Sequence, residues 1–305
     1  MPTPPLDFAG LPQTPGVYRF RDAAGRALYI GRAVDLRRRV RSYWGSQKGR
    51  PRMRRMVPQI VAVEVVECAS EHEAAWLERN LLEQSKPRWN RARGGLETPV
   101  YLRLDPAPKA PSLTVVHDVL DELTHFGPYL GGTRVRTAVT ALGFLYPLAY
   151  AGDGLTGAAQ AMATARSVTP ADHADLLQTV TAILARDPLA AAQARLSLET
   201  RRDRAAKALE FELAGRIQEQ IEAVGWLAST QRVTVPEPLD ANAAGWADGV
   251  LVEFAMKAGR IRTWKQSAST REAAMKKLAA TPETWADFAT RNAELAARIS
   301  SLHVV

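Results

Sequence analysis

We expect an α/β protein in which an N-terminal domain joins a small mixed sheet to flanking helices. Two short strand-like runs, "PGVYRF" and "RALYIG", flank a polar turn that contains Asp22 and Gly25, a pattern typical of a β-hairpin. A β-branched run, "QIVAVEVVECA", predicts a third strand. An Ala-rich stretch from about residue 153 to 230 then favours helices. A small α+β segment is expected at the C-terminal end.

The first helix is predicted directly after the hairpin. Asp35 fits an N-cap, and Leu36, Val40 and Tyr43 fall at positions i, i+4 and i+7 of one helix face. Arg39 lies three residues after Leu36, so it leans towards the same face. The neighbouring arginines point outwards.

A second helix is predicted after the third strand. Ser70 and Glu73 have the spacing of a capping box, and the helix is expected to run to about Ser85. Glu78 falls within the apolar stripe of this helix, where a carboxylate needs a partner or a function. The stripe includes Ala74, Leu77, Leu81 and Leu82.

The remaining chain is expected to contain strands, several helices and a final hairpin. Two strands are predicted from "ETPVYLRLD" to "SLTVVHDV", and "HFGPYLGGTRVRTAVTALGFLYPL" is expected to be a Gly/Pro loop that opens into a helix. "TPADH" and "DPLAAAQ" mark helix starts, and "VPEPLDANAAG" is expected to be a linker. A hairpin around Lys257, Ala258 and Gly259 precedes a helical tail. We place the domains at residues 10–95, 96–150, 151–230 and 231–305.

The charge of the chain favours an anionic partner such as nucleic acid. The 305 residues carry 40 Lys and Arg against 32 Asp and Glu, a net charge of +8. The excess is local, because ten basic residues and one acidic residue, Asp35, lie between Arg32 and Arg55. The single cysteine, Cys68, excludes an intrachain disulfide and is expected to be buried. The chain shows no signal peptide and no apolar run of about 18 residues, so we expect a soluble cytoplasmic protein.

Five elements then resemble, in order, a GIY-YIG nuclease domain of the UvrC family. They are "GVY" at 16–18, "YIG" at 29–31, Arg39, "LERNL" around Glu78, and "KPRWN" with Asn90. The segment that contains "FGPY" is similar to UvrC proteins, and residues 207–224 resemble the UVR motif, a helical hairpin. The family's cysteine-rich stretch and RNase H-like second nuclease domain have no counterpart here. The nearest plan is therefore that of the short, single-nuclease Cho type.

The resemblance implies a metal-dependent DNA endonuclease of nucleotide excision repair that cuts one strand on the 3′ side of a lesion. It assigns Tyr29 as general base, Arg39 to the scissile phosphate and Glu78 to the metal, which we expect to be Mg²⁺, with Mn²⁺ as a substitute. A tyrosine needs neighbouring cations to lower its pKa for this role. Arg32 replaces a lysine that is more frequent in the family. Further residues expected to orient the site are Tyr18, Tyr43 and Asn90.

Two kinds of partner follow from the resemblance and the charge. The phosphates of damaged duplex DNA would contact the exposed basic residues, and this binding would not be sequence-specific. UvrB would bind the UVR-like hairpin through Leu209, Phe211, Ala214, Ile217 and Ile221. The residues expected to bind DNA are Arg37, Arg38, Arg41, Lys48, Arg50, Arg52, Arg54 and Arg55.

Plainer interpretations of the same residues remain open. The hairpin tyrosines could be cross-strand packing, Glu78 could be a buried ion-pair partner of Arg39, and the outward arginines could be a solvated face. At the level of function, two alternatives are a non-catalytic module that holds DNA and UvrB and a structure-specific nuclease that acts without UvrB.

Overall fold

The computed structural model describes residues 8–45, 51–91, 98–119, 122–229, 240–257 and 260–301. The chain divides into two compact units, Met1–Leu96 with Thr230–Val305 and Glu97–Ser229. The C-terminal region therefore packs with the N-terminal domain, and the two middle segments form one unit. Within the described ranges, no helix is both long and apolar enough to cross a membrane.

The N-terminal sheet has three strands, β1 (Gly16–Arg21), β2 (Ala27–Ala33) and β3 (Ala62–Glu67), in the order β2-β1-β3. Both pairings are antiparallel, so the expectation of a mixed sheet was wrong. β2 and β3 lie on opposite sides of β1. β3 runs in the same direction as β2, but it pairs with β1 and not with β2.

Three helices accompany this sheet: α1 (Leu36–Arg41), α2 (Pro51–Met56) and α3 (Glu71–Gln84). Asp35 caps α1, since its Oδ1 accepts a hydrogen bond from the Arg38 backbone N–H at 2.8 Å. α2 was not predicted from the sequence. The predicted apolar face is confirmed, because Leu36 and Val40 of α1 are buried and so is Tyr43, two residues after the helix.

The start of α3 confirms the predicted cap. Ser70 Oγ accepts from the Glu73 N–H at 3.1 Å, and the Glu73 carboxylate reaches back to accept from the Ala69 N–H. The four apolar residues of the predicted stripe are all buried, and Cys68 is buried as expected. Burial raises the pKa of the Cys68 thiol well above its usual value.

The second unit contains the sheet of β4 (Pro99–Asp105), β5 (Ser112–Val116) and β6 (Thr124–Leu130), in the order β5-β4-β6. β6 holds the "HFGPYL" sequence that was expected to be a loop, and that expectation was wrong. β6 is an edge strand of the described sheet, where a proline without an N–H, here Pro128, is tolerated. The pairing with β4 shifts register beside it.

Five helices complete this unit, and their starts at "TPADH" and "DPLAAAQ" agree with the sequence. Asp187 caps the longest of them through the Ala190 N–H at 2.8 Å. The last two helices pack against each other as a hairpin. The helices are α4 (Gly132–Leu145), α5 (Gly157–Ala165), α6 (His173–Leu184), α7 (Pro188–Lys207) and α8 (Phe211–Leu227).

The C-terminal part adds β7 (Ala241–Ala247), β8 (Val250–Lys257), β9 (Arg260–Ala268), α9 (Arg271–Ala279) and α10 (Glu283–Ser301). The predicted hairpin is confirmed as β8 and β9, with residues 258 and 259 outside the described chain. The prediction of a linker was wrong for its second half, which forms β7. Small residues are required in β7, because a Cβ at Gly245 would overlap the backbone of Ala289 in α10.

The C-terminal part packs directly on the N-terminal sheet. The Asn292 side chain in α10 accepts from the Glu67 N–H at 2.8 Å and donates to the Glu67 carbonyl at 3.3 Å, which occupies the edge of β3. Leu295 and Ile299 of α10 join the core that contains Tyr18. The C-terminal part is therefore continuous with the core of the N-terminal domain.

Candidate active site

Strand register places two of the tyrosines on one face of the β1–β2 hairpin. Tyr18 lies opposite Gly31 and Phe20 lies opposite Tyr29, so Tyr18 and Tyr29 are diagonal neighbours with ring centroids 6.1 Å apart. Tyr43, which follows α1, lies with its ring centroid 5.8 Å from that of Tyr18 and 6.1 Å from that of Tyr29. The three rings form one aromatic group.

Gly31 is the residue that makes room for this group. A Cβ at Gly31 would lie 2.5 Å from the Tyr18 hydroxyl oxygen and 2.7 Å from Cε1 of Tyr29. Gly16 plays a similar part at the start of β1, where a Cβ would overlap the Val66 carbonyl and lie 2.6 Å from Leu36 Cδ1. A packing role for Gly16 and Gly31 was not predicted from the sequence, and the strand register is the signal that could have found it for Gly31.

Arg39 joins the tyrosines, as the helix face predicted. Its Nε donates to the Tyr18 hydroxyl at 3.3 Å, and its guanidinium carbon lies 5.3 Å from the centre of the Tyr43 ring. The Tyr18 and Tyr43 hydroxyls are 2.7 Å apart and share a hydrogen bond. A permanent cation is thus fixed at the open side of the aromatic group.

Burial dominates the ionisation of these groups. It raises the pKa of Tyr18 well above its usual value, with Tyr43 and Tyr29 adding to the rise. The pKa of Tyr29 is also raised, first by burial and then by Tyr43 and Glu78, whereas Arg39 lowers it. The lowering by a nearby cation that the sequence predicted is therefore present but outweighed. Burial opposes the charge of Arg39, but the tyrosines outweigh it and raise the pKa of its guanidinium.

Glu78 lies at the border of this group on α3. Its side chain is 22% exposed, and its Oε2 lies 3.6 Å from the Nε of Arg32, which is 36% exposed. This ion pair differs from the Arg39–Glu78 pair considered from the sequence. The charge of Glu78 also adds to the rise in the pKa of Tyr29, after burial and Tyr43.

The carboxylate of Glu78 suits a hard divalent cation. Among the described residues, no three His, Cys, Asp or Glu side chains come together as a metal cage. A single, partly exposed carboxylate fits Mg²⁺, which keeps several of its waters and needs few protein ligands.

Asn90 holds the strand that carries Tyr29. Its Oδ1 accepts from the Ile30 N–H at 3.0 Å, and its Nδ2 donates to the Ile30 carbonyl at 2.8 Å. Beside it, the Trp89 N–H donates to the Leu28 carbonyl at 3.0 Å. The "KPRWN" segment therefore occupies the outer edge of β2.

The structure divides the basic residues expected to bind DNA. The Arg37 side chain binds the N-terminal backbone. Its Nε and Nη2 donate to the carbonyls of Leu11 and Ala9 at 2.7 and 2.8 Å. Arg52 donates to the Trp89 carbonyl at 3.1 Å. Lys48 and Arg50 lie outside the described residues. Five of the expected residues are exposed: Arg38, Arg41, Arg52, Arg54 and Arg55.

A cavity of about 420 Å³ adjoins the site beside α1. It brings the exposed Arg38 next to Arg39, and one wall is the exposed side chain of Val34. Asp35 and Ser42 also line it. The sequence did not single out Val34 or Ser42, because the shape of a cavity depends on how α1 packs on the sheet.

The residues expected to bind a partner through the hairpin fall into two groups. Leu209 is 73% exposed and Phe211 is 68% exposed, at the turn between α7 and α8, and Ala214 is half-buried. Ile217 and Ile221 are buried in the core of their own unit. A surface available to a partner on the hairpin is therefore centred on Leu209 and Phe211.

Comparisons with known proteins identify the domain that carries this site. Residues 14–91 match the family of UvrC-like GIY-YIG domains, and the N-terminal domain is such a domain. Over most of its length the chain is homologous to UvrABC system protein C.

The relatives show how far this similarity extends. UvrABC system protein C of Chlorobium phaeobacteroides is 31% identical over 84% of this chain and 44% of its own length, and that of Trichlorobacter lovleyi is 38% identical over 45% and 23%. The chain thus spans less than half the length of these curated relatives. A crystal structure of the GIY-YIG N-terminal endonuclease domain of UvrC from Thermotoga maritima, bound to magnesium, is 34% identical over 27% of this chain and 88% of its own, with a TM-score of 0.25.

Proposed function

We propose that this chain is a metal-dependent DNA endonuclease of nucleotide excision repair that incises one strand on the 3′ side of a lesion. One observation supports the proposal: Tyr29 and Arg39 both contact the Tyr43 ring, and Glu78 is paired with Arg32 of the strand that carries Tyr29. Hydrolysis of a phosphodiester needs a base, a cation for the phosphoryl oxygens and help for the leaving oxygen. These three side chains offer that set.

Arg39 would bind the scissile phosphate. Its guanidinium is fixed by the Tyr18 hydroxyl and by the Tyr43 ring, so little side-chain entropy is lost when a phosphate oxygen is bound. Its raised pKa keeps it charged throughout the working range of pH. Arg38 in the adjoining cavity would contact a neighbouring phosphate of the same strand.

Glu78 would hold the metal, Mg²⁺ or Mn²⁺. A divalent cation at this carboxylate would offset charge that develops on the phosphoryl and leaving oxygens. The Arg32–Glu78 ion pair holds the carboxylate beside β2 in the free protein.

Tyr29 would act as the general base towards the attacking water. The Asn90–Ile30 hydrogen bonds and the packing at Gly31 fix the position of its strand. Burial and the Glu78 charge raise its pKa. A cation bound to Glu78 would offset the charge of its carboxylate, which is one of the causes of the raised pKa of Tyr29.

UvrB would be the partner that presents the lesion to the nuclease site. It would bind this chain through the exposed pair Leu209 and Phe211. Exposed apolar side chains at the turn of a helical hairpin are suited to a groove on another protein. Pull-down with purified UvrB tests this. Loss of retention by Leu209→Ser with Phe211→Ser supports the role of the turn, whereas retention equal to wild type contradicts it. Glu212→Ser, an exposed change on the same helix, serves as the control.

An incision assay tests the enzymatic part. A lesion-bearing duplex labelled at one 5′ end is incubated with Mg²⁺, with and without UvrA and UvrB, and the products are sized. A single cut on the 3′ side of the lesion that needs UvrB and stops with a chelator supports the proposal. Equal cutting without UvrB contradicts the proposed role of UvrB. No cutting under any of these conditions contradicts the proposed endonuclease activity.

A further inference from the structure

The second unit contains a group of cations around one exposed aromatic ring, and the nuclease site does not include it. The Arg201 guanidinium carbon lies 3.5 Å from the centre of the Phe144 ring, and that of Arg166 lies 5.3 Å from the same point. Arg166 also lies 5.5 Å from the centre of the Tyr150 ring. Phe144 is 41% exposed, so solvent reaches the group.

The two guanidiniums repel each other and have no carboxylate between them. Within the described part of the chain, neither Arg166 nor Arg201 forms an ion pair, whereas two other arginines of α7 are paired, Arg195 with Glu199 and Arg202 with Asp203. The pKa of Arg201 is lowered by burial and by the charge of Arg166. An anion would relieve this repulsion.

A structural role accounts for Arg166 but not for Arg201. Arg166 Nη1 donates to the carbonyls of Phe144 and Gly143 at 3.3 and 3.5 Å, so it satisfies the last turn of α4. Arg201 makes no hydrogen bond within the described chain, and its observed contact is the stacking on Phe144. A guanidinium stacked in this way keeps its in-plane N–H groups available for a ligand.

We propose that Phe144, Arg166 and Arg201 form a phosphate-binding site for the DNA backbone in the second unit. The two guanidiniums would share the oxygens of one phosphate, and the exposed ring of Phe144 would contact the adjoining sugar or base. The chemistry favours nucleic acid, since phosphate geometry matches the fork of arginine and exposed aromatic rings stack on bases. This inference rests on the proposed DNA endonuclease function.

Salt-dependent DNA binding tests the site. The full chain is titrated with a fluorescent duplex at several KCl concentrations, and the slope of log K against log salt is compared for wild type, Arg201→Gln and Arg195→Gln. Arg195 lies on the same helix and is neutralised by Glu199. We expect Arg201→Gln to weaken binding and to reduce the slope by about one. We expect Arg195→Gln to match wild type.

Further outcomes separate this site from a structural role and from the proposed function. Arg201→Gln that melts earlier but keeps the wild-type slope, or Arg195→Gln that lowers the slope equally, overturns the inference. Arg201→Lys keeps the charge and is expected to recover most of the slope, which a purely structural stacking role would not produce. A wild-type chain that binds no DNA contradicts the proposed function as well, whereas normal binding with unchanged slopes contradicts this site alone.

Discussion

The side-chain amide of Asn90 makes two hydrogen bonds with the backbone of Ile30, one to the N–H and one to the carbonyl. Ile30 is the residue between Tyr29 and Gly31, so a side chain 60 residues later in sequence fixes the strand at the centre of the site. Asn90 takes the place of a neighbouring strand at the open edge of β2. Its effect on the reaction would be to position Tyr29.

Asn90→Ala is therefore expected to destabilise the N-terminal domain by about 1–3 kcal/mol, since two backbone groups lose their partner. Nicking should fall through kcat, with little change in DNA affinity. Urea unfolding and single-turnover nicking measure the two effects. Asn90→Asp is the informative companion, because it keeps the acceptor for the Ile30 N–H and loses the donor. Wild-type stability and kcat in Asn90→Ala would contradict a positioning role.

Gly31→Ala is expected to disrupt the aromatic group. The new Cβ would lie 2.5 Å from the Tyr18 hydroxyl oxygen, so the rings must move, at a cost of about 1–3 kcal/mol. Nicking should be largely lost. Gly215→Ala is the control, since no atom lies within 4 Å of its added Cβ on helix α8. We expect that control to gain about 0.5–1 kcal/mol. A fully active and stable Gly31→Ala protein would contradict the packing described for the site.

Trp264 of β9 is expected to stabilise the N-terminal sheet from its other face. The Arg19 guanidinium carbon lies 4.1 Å from the centre of the Trp264 ring, and its Nη1 donates to the Trp264 carbonyl at 3.3 Å. Trp264→Ala should destabilise the first unit by about 3–5 kcal/mol. Trp264→Phe, which keeps an aromatic ring over Arg19, should lose much less. Equal urea midpoints for wild type and Trp264→Ala would mean that the C-terminal part does not stabilise this sheet.

Alkaline pH is expected to destabilise the first unit through its buried tyrosines. Tyr18 has a raised pKa in the folded chain, whereas an unfolded tyrosine ionises near a pKa of about 10. Above that pH the unfolded chain releases a proton that the folded chain retains, so stability is lost as pH rises. Unfolding free energies at pH 8 and pH 11 measure this loss. Tyr18→Phe should show a smaller difference between the two, and an unchanged difference would contradict the burial of a neutral phenol.

Local features of the sequence predicted much of the N-terminal domain. The hairpin, the caps at Asp35 and Ser70 and the burial of Leu36 and Val40 depend on neighbouring residues, and all are present. The inward lean of Arg39 was also predicted, since it follows from helix periodicity.

Features that depend on tertiary contacts could not be predicted in this way. β7 resembled a linker because its alanines and Gly245 are selected by the close approach of α10. Arg37 looked like the arginines beside it, but the carbonyls of Leu11 and Ala9 hold it against the chain. Ile217 has the spacing of a partner-binding face, and that face is instead buried in its own unit. The structure at these positions depends on helix packing, hydrogen bonds and burial, which involve residues distant in sequence.

The most direct test of the proposed metal-dependent nuclease site is Glu78→Gln, an isosteric change that removes the charge expected to hold the metal. Nicking of a lesion-bearing duplex is measured with Mg²⁺ beside DNA binding for the same proteins. We predict that nicking falls by at least about 100-fold, because several kcal/mol of transition-state stabilisation is lost, while DNA affinity stays near that of wild type. Nicking by Glu78→Gln at the wild-type rate would contradict it.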